Sequence, residues 1–354
     1  MSKKAQLILE DGAVYNGFVF GADQSTSGEV VFSTGMVGYT ESLTDPSYFG
    51  QILVLTYPLI GNYGVGDKTD HITLNPFESG HIQAKGLIIS DYSIEYDHWN
   101  AMQSLSNWMK DEGIPGLYGI DTRALTKHLR EKGTMLAKII IDDKDVEFYD
   151  PNKENLLDRV SIKEPQQFGE GNKTIALLDC GCKTSIATNV SRRGVMVKRL
   201  PWDWDLSSEK FDGLLISSGP GDPQNCKKVI NQINEVMKKE IPVFGICLGH
   251  QLMGICAGAN TYKLKDGHRS QNQPVMQSDK QHCFVTSQNH GFAVDDATLS
   301  KDWKPLFTNL NDKTNEGIIH KSGRFFSVQF HPEASPGPYD TTFLFDKFLG
   351  LVNE

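Results

Sequence analysis

Two hydrophobic rhythms divide the chain. Over residues 1–150, short apolar runs alternate with Gly-, Pro- and Asp-rich breaks and predict strands mixed with helices. Residues 5–10 and 14–20 flank Asp11-Gly12, a hairpin signal. Val30-Val31-Phe32, residues 52–56, residues 87–89 and Ile139-Ile140-Ile141 read as further strands. Leu105, Trp108 and Met109 mark one helix. Leu125 and Leu129 mark another after Asp121-Thr122, with Gly133 as its stop. From about residue 142 to 171 the sequence is charged, weakly periodic and closed by Pro and Gly, so residues 151–172 are expected to be a linker or inter-domain crossing.

From Lys173 the rhythm becomes an alternation of strand and helix. Residues 174–178, 195–197 and 213–216 are apolar strands, with a helix around residues 185–190. Asp222-Pro223 supplies an N-cap and a first-turn proline for a helix whose one face carries Val229, Ile230, Ile233, Val236 and Met237. Short strands lead to residues 324–330, and a helix with Leu344, Phe345, Phe348 and Leu349 closes the chain. The expected fold is α/β: a mostly parallel, doubly wound sheet over residues 173–354, with a separate mixed α/β domain over residues 1–150. No internal repeat or low-complexity tract interrupts this division.

One stretch organises the second half. Pro242-Val243-Phe244 is an apolar strand, Gly245-Ile246-Cys247-Leu248-Gly249 a tight turn, and Leu248, Leu252 and Ile255 recur at helical spacing. A thiol on a strand–turn–helix corner has the geometry of a nucleophile elbow. Flanking glycines clear the turn, and the helix N-terminus favours thiolate over thiol. Burial of Cys247 as an ordinary core cysteine is the bland alternative. A membrane span fails, because His250 and Gln251 interrupt a segment already barely long enough.

Composition narrows the function class. The net charge of −9 and the lack of a Lys/Arg cluster argue against a nucleic-acid partner. The N-terminal residues lack an apolar core for a signal peptide. The six cysteines all lie in the second half without disulfide-framework spacing, which suits a reducing cytoplasm. The stretch Gly61-Asn-Tyr-Gly-Val-Gly-Asp67-Lys-Thr69 resembles a phosphate loop only loosely, since Asp67 stands where a glycine should precede the lysine. No ATP site or other cofactor is therefore expected in this chain. Cys180-Gly181-Cys182 lacks further ligand spacing, so no metal is expected either.

Three loops follow predicted strands in the second domain, and a parallel sheet would bring them to one edge: Ser217-Ser218-Gly219-Pro220-Gly221-Asp222, Cys247, and His331-Pro332-Glu333. His331 can deprotonate a thiol and protonate a leaving group, and Glu333 can hold its tautomer. Gly219 and the Leu248 N–H are the candidate oxyanion donors. His331-x-Glu333 could also belong to a zinc deaminase, but no Pro-Cys-x-x-Cys follows.

Gly245-Ile-Cys247-Leu-Gly249-His250-Gln251, followed by Phe330-His331-Pro332-Glu333-Ala334, resembles the signature of class I (triad) glutamine amidotransferases. The first domain is similar to the small subunit of carbamoyl-phosphate synthetase in Leu9-Glu10-Asp11-Gly12, Gly28-Glu29-Val30-Val31-Phe32, Leu43-Thr44-Asp45-Pro46-Ser47-Tyr48, Thr56-Tyr57-Pro58-Leu59-Ile60-Gly61-Asn62 and Gly119-Ile120-Asp121-Thr122-Arg123. Gln288-Asn289-His290-Gly291-Phe292 and residues 331–338 extend the match to nearly the whole chain. The chain departs from the usual pattern at Ser218, at Cys180 and Cys182, and at Ser270 and Gln271.

The resemblance implies hydrolysis of L-glutamine to glutamate and ammonia through a thioester on Cys247, with His331 and Glu333 completing the triad. It also implies glutamine contacts from Ser47, Gly219, Gly221, Leu248, Gln251, Asn289, Gly291 and Phe292. Ammonia would pass to a separate large subunit that uses ATP, Mg and bicarbonate, serving arginine and pyrimidine synthesis. The rivals are a triad amidotransferase feeding another acceptor, such as anthranilate or GMP synthesis, and a non-catalytic regulatory subunit.

Overall fold

The computed structural model describes residues 3–67 and 77–354, in two compact units, Met1–Lys153 and Glu154–Glu354. Lys68 and Thr69 of the loose phosphate-loop match lie outside the described residues.

The first unit runs β1 (Lys4–Leu9), β2 (Val14–Val19), β3 (Thr26–Ser33), α1 (Tyr39–Thr44), β4 (Gln51–Leu55), β5 (Leu59–Ile60), β6 (Gly86–Ile88), β7 (Asp91–Tyr92), α2 (Leu105–Asp111), β8 (Gly116–Tyr118), α3 (Thr122–Lys132) and β9 (Met135–Ile141). Asp11-Gly12 forms the turn of the first hairpin, with Gly12 at φ 90° and Leu7 opposite Tyr15. Seven strands close into a barrel in the order β1-β2-β8-β6-β4-β3-β9. Period-two alternation sends neighbouring residues to different cores. Val30, Ile52 and Ile88 join Leu125 and Leu129 of α3, whereas Val31, Leu53 and Leu87 join Leu105, Trp108 and Met109 of α2. Each such leucine, fully buried, contributes roughly 1.5–3 kcal/mol. The Asp121 side chain accepts from the Ala124 N–H to start α3, and Gly133 at φ 102° ends it.

The second unit contains α4 (Leu157–Val160), β10 (Gln166–Phe168), β11 (Thr174–Asp179), α5 (Thr184–Ser191), β12 (Met196–Pro201), β13 (Gly213–Ile216), α6 (Lys227–Lys238), β14 (Val243–Ile246), α7 (Leu248–Cys256), β15 (Asn260–Gln277), β16 (His282–Asp295), β17 (Trp303–Asn309), β18 (Asn315–His320), β19 (Phe325–Val328) and α8 (Phe343–Asn353). They form one sheet in the order β10-β12-β11-β13-β14-β19-β18-β17-β15-β16. Strands β12, β11, β13, β14 and β19 are parallel, and the flanking strands pair antiparallel. Helices cover both faces: Ile175 and Leu177 pack with α5 and α8, while Ala176 and Leu178 pack with α6 and α7.

Three local expectations change. Residues 151–172 are structured, with a 3-10 turn at Pro151–Lys153, α4 and β10, and Leu157 is fully buried. Asp222-Pro223 starts a separate 3-10 turn, Pro223–Asn225, and α6 begins only after Cys226. The strands after the elbow are long, because β15 and β16 make one extended antiparallel ribbon carrying register shifts between Lys263 and His268 and between Ser270 and Gln273. No helix among the described residues is long and apolar enough to cross a membrane.

Candidate active site

The sheet order makes β14 the neighbour of both β13 and β19, all three parallel. Their C-terminal ends therefore deliver the loops bearing Gly219, Cys247 and His331 to one edge, as a strand-order argument requires. The Cys247 N–H bonds to the Val328 carbonyl at 2.9 Å, and the Gly249 N–H to the Ser217 carbonyl at 3.2 Å, tying the three loops together.

Cys247 takes φ 53° and ψ −101°, a conformation that non-glycine residues rarely adopt, between β14 and α7. The neighbouring glycines are sterically required. A Cβ on Gly245 would lie 2.6 Å from the Gly249 carbonyl oxygen, and one on Gly249 would lie 2.4 Å from the Ile216 carbonyl oxygen. A Cβ on Gly219 would fall 1.9 Å from the Cys180 carbonyl oxygen and 2.9 Å from the Leu248 side chain. Gly219 is thus pressed between the loop after β11 and the start of α7. Leu248 opens that helix, where first-turn N–H groups have no intrahelical acceptor.

His331 Nδ1 lies 2.6 Å from Glu333 Oε1, both side chains buried. A carboxylate only accepts, so Nδ1 carries the proton and Nε2 is left for the sulfur. Nε2 is buried with no hydrogen-bond partner within bonding distance among the described residues, and the neighbouring Cys247 sulfur favours the imidazolium. Burial opposes that charge, yet the Glu333 carboxylate overrides it and pushes His331 up to about 10. Burial likewise opposes the Glu333 carboxylate, but Lys183 and then His331 hold it down at about 2.

The Cys247 Sγ points to the Asn289 carbonyl oxygen at 3.7 Å and receives the Gln329 amide at 3.7 Å. Gln251 Nε2 donates to the Gln329 Oε1 at 3.2 Å and to the Phe292 carbonyl at 3.0 Å. Asn289 therefore sits against the sulfur, while Gln251 and Phe292 connect to it through Gln329, with Gly291 between Asn289 and Phe292 on β16. Gly221 holds φ 91° in the loop after β13. Ser47 lies in the first unit, buried in the 3-10 turn Pro46–Tyr48, its Oγ without a partner among the described residues.

Two buried groups escaped sequence reasoning. Lys183 donates to Glu333 Oε1 at 3.0 Å and to the Ala334 carbonyl at 2.9 Å. Its signal was its place in the loop after β11, the fourth strand-end loop at this edge. Gln329 precedes His331 by two residues and shares its edge. Asp179 frames the Lys183 loop by accepting from the Gly181 and Cys182 N–H groups while pairing with Arg199 at 2.7 Å. The departures are accommodated there: Ser218 is fully buried, and Cys180 donates its N–H to Ser217 Oγ at 2.9 Å. All six cysteines are free thiols.

Residues 176–351 match the family described as glutamine amidotransferase class-I, and residues 7–139 match the carbamoyl-phosphate synthase small chain, CPSase domain. The chain is 47% identical over 368 residues to the carbamoyl phosphate synthase arginine-specific small chain of Candida albicans, covering 99% of this chain and 85% of that one. It is 52% identical over 358 residues to the multifunctional protein CAD of Squalus acanthias, covering 99% of this chain but only 16% of that protein. It is 47% identical over 359 residues to the mitochondrial carbamoyl-phosphate synthase (ammonia) of Mus musculus, covering all of this chain and 24% of that one. Several of its relatives are thus four to six times its length.

Proposed function

The chain belongs to the carbamoyl phosphate synthase small-chain family and carries a class-I glutamine amidotransferase domain, and we propose that it hydrolyses L-glutamine and passes the ammonia to a large synthetase subunit. The carrying observation is the Cys247–His331–Glu333 arrangement on a strained elbow at the end of parallel strands.

In this reading His331 Nε2 holds the proton taken from Cys247, and the sulfur attacks the side-chain amide carbon of glutamine. The oxyanion forms toward the Leu248 and Gly219 N–H groups. His331 returns the proton to the amide nitrogen, the C–N bond breaks, ammonia leaves, and a γ-glutamyl thioester remains on Cys247. A water then attacks the thioester, giving its proton to His331. Glutamate departs, and the proton from His331 restores the thiol. Glu333 holds the imidazole throughout, and Lys183 holds Glu333. Gln251, Asn289, Gly291, Phe292 and Gly221 are the proposed glutamine contacts in this domain.

ATP, Mg and bicarbonate chemistry belongs in this proposal to the large partner, which makes carbamoyl phosphate for arginine or pyrimidine synthesis. Six free thiols suit a reducing compartment, and we assign the cytoplasm.

The test is glutamate release from glutamine by the purified chain, alone and with a carbamoyl-phosphate synthetase large subunit, ATP and bicarbonate. A slow rate that rises with the partner is expected. A rate indifferent to that partner would reassign the acceptor, and no glutamate in either assay would assign a regulatory role.

A further inference from the structure

Behind the strand that carries Asn289 and Gly291, four donor groups from β15, β16 and β18 converge on one point. His268 and His290 are directly opposite across the β15–β16 ribbon, their rings 4.9 Å apart and 81° inclined. Glu316 joins them from β18, fully buried. One ligand atom from each of the three lies within 4.8 Å of the others. The Gln288 Oε1 is 3.0 Å from His268 Nδ1 and 3.1 Å from His290 Nε2, and Glu316 Oε1 is 3.4 Å from His268 Nδ1.

His290 Nδ1 lies 2.8 Å from the Phe292 carbonyl, and His268 Nε2 lies 2.8 Å from the Asp312 carboxylate. Both outer partners can only accept, so both outer nitrogens carry protons. With neutral rings, the two inward nitrogens, the Gln288 Oε1 and the Glu316 carboxylate are all acceptors, so this point takes either a cation or a proton on His268 Nδ1. Glu316 Oε2 is buried with no hydrogen-bond partner within bonding distance among the described residues, while Asn309 donates to Oε1 at 2.9 Å.

We propose that His268 Nδ1, His290 Nε2, Glu316 and the Gln288 Oε1 form a binding site for a divalent transition ion, best suited to zinc. Imidazole and carboxylate donors suit that ion. Bonds of about 2.0–2.1 Å to a tetrahedral ion place its ligands roughly 3.3 Å apart, and the three donor separations above already bracket that spacing. The carbonyl and carboxylate behind the two imidazoles are the outer partners that orient metal-bound histidines. Glu316 and Asp312 supply two negative charges against the dication. Arg269, packed against Gly267 and Gly291, is the competing positive one. An ion here would pin β15, β16 and β18 together behind Asn289 and Gly291. The site stands independently of glutamine hydrolysis.

The test uses the full chain, untagged and chelator-stripped, carrying Cys247→Ala so that the elbow thiol cannot bind metal. Titration with Co2+ should give one equivalent per chain with tetrahedral visible bands, no sulfur charge-transfer band, and displacement by Zn2+. His268→Ala and Glu316→Gln should each weaken binding at least about tenfold, and Asp312→Asn, which leaves every ligand in place, by about 10- to 100-fold. Circular dichroism identifies any variant that fails to fold. If Glu316→Gln does, the two substitutions on the more exposed His268 side decide. Absence of binding at micromolar Co2+, sulfur-ligated binding, or binding indifferent to His268→Ala would overturn the site. Those results would mean that a proton on His268 Nδ1, or a reversed Gln288 amide, fills the point instead.

Discussion

Lys183 and His331 meet at a single carboxylate oxygen: Glu333 Oε1 accepts from Lys183 Nζ at 3.0 Å and from His331 Nδ1 at 2.6 Å. Lys183 and Glu333 are both shut off from solvent. Removing one member of a buried ion pair costs about 3–5 kcal/mol, because the remaining charge stays desolvated. Here His331 still pairs with Glu333, so Lys183→Met should fall near the low end, about 3 kcal/mol by denaturant unfolding. It also strips a donor from the Ala334 carbonyl, next to Glu333. Glutamine turnover should fall at least tenfold even where the variant is fully folded.

The His331–Glu333 pair predicts a pH window. His331 is raised to about 10 from 6.5, so its contribution is complete below 6.5 and is lost as pH climbs toward 10. Glu333 is lowered to about 2 from 4.5, so its contribution is complete above 4.5 and is lost as pH falls toward 2. The stability difference between the wild-type chain and His331→Gln should therefore be greatest between about pH 4.5 and 6.5 and shrink on either side. Urea unfolding of both proteins from pH 3 to 10 measures it. A difference that grows steadily toward pH 9 would contradict the pairing. Comparing the two proteins cancels the opposite trend from His250, whose burial pushes it down to about 3.

The elbow and its partners were legible because their chemistry is local in sequence. Gly245, Cys247 and Gly249 write the turn, and His331 and Glu333 stand two residues apart. The second unit's parallel strands were legible from alternation alone. Closure of the first unit's barrel was not, because it depends on β1 meeting β9 across more than a hundred residues. Lys183 was hidden for a similar reason: 150 residues separate it from Glu333, and nothing in Gly-Cys-Lys distinguishes a buried lysine from a solvated one. The His268–His290–Glu316 cluster depends on ribbon register and on a strand from elsewhere in the sheet, neither of which periodicity specifies.

Steric space separates two glycines that look alike in sequence. Gly249 lies in the first turn of α7, where an added Cβ would sit 2.4 Å from the Ile216 backbone oxygen. Gly350 lies in α8 with nothing within 4 Å of the same atom. Gly249→Ala should cost at least about 2 kcal/mol, as overpacking against backbone does, and should cripple Cys247 alkylation. Gly350→Ala should stabilise by about 0.5–1 kcal/mol, the helix-interior cost of glycine relative to alanine. Thermal melts of the two variants test both signs.

Cys247→Ala separates the proposed chemistry from assembly. The reconstituted complex should lose glutamine-dependent carbamoyl phosphate synthesis while keeping synthesis from free ammonia. Parallel assays with the two nitrogen donors measure this. Loss of both activities, or of neither, would remove the assigned role of the thiol.

Gln329 is positioned to tune the nucleophile. Its amide nitrogen reaches the Cys247 sulfur at 3.7 Å, its oxygen receives Gln251 at 3.2 Å, and its side chain is fully buried. Gln329→Leu keeps the volume but removes the donor to sulfur and one acceptor for Gln251. Gln251 retains the Phe292 carbonyl, so the loss should be moderate, about tenfold in kcat/KM, or ~1.4 kcal/mol of transition-state stabilisation. Gln329→Glu keeps the shape and the Gln251 acceptor but places an acceptor-only, negative group against the sulfur. It should slow iodoacetamide alkylation of Cys247 at pH 7 more than Gln329→Leu does. A merely structural glutamine would give the reverse order, since Leu disturbs the hydrogen-bonded contacts more than Glu does. The ranking of the two alkylation rates therefore decides whether Gln329 acts on the sulfur or only fills space beside it.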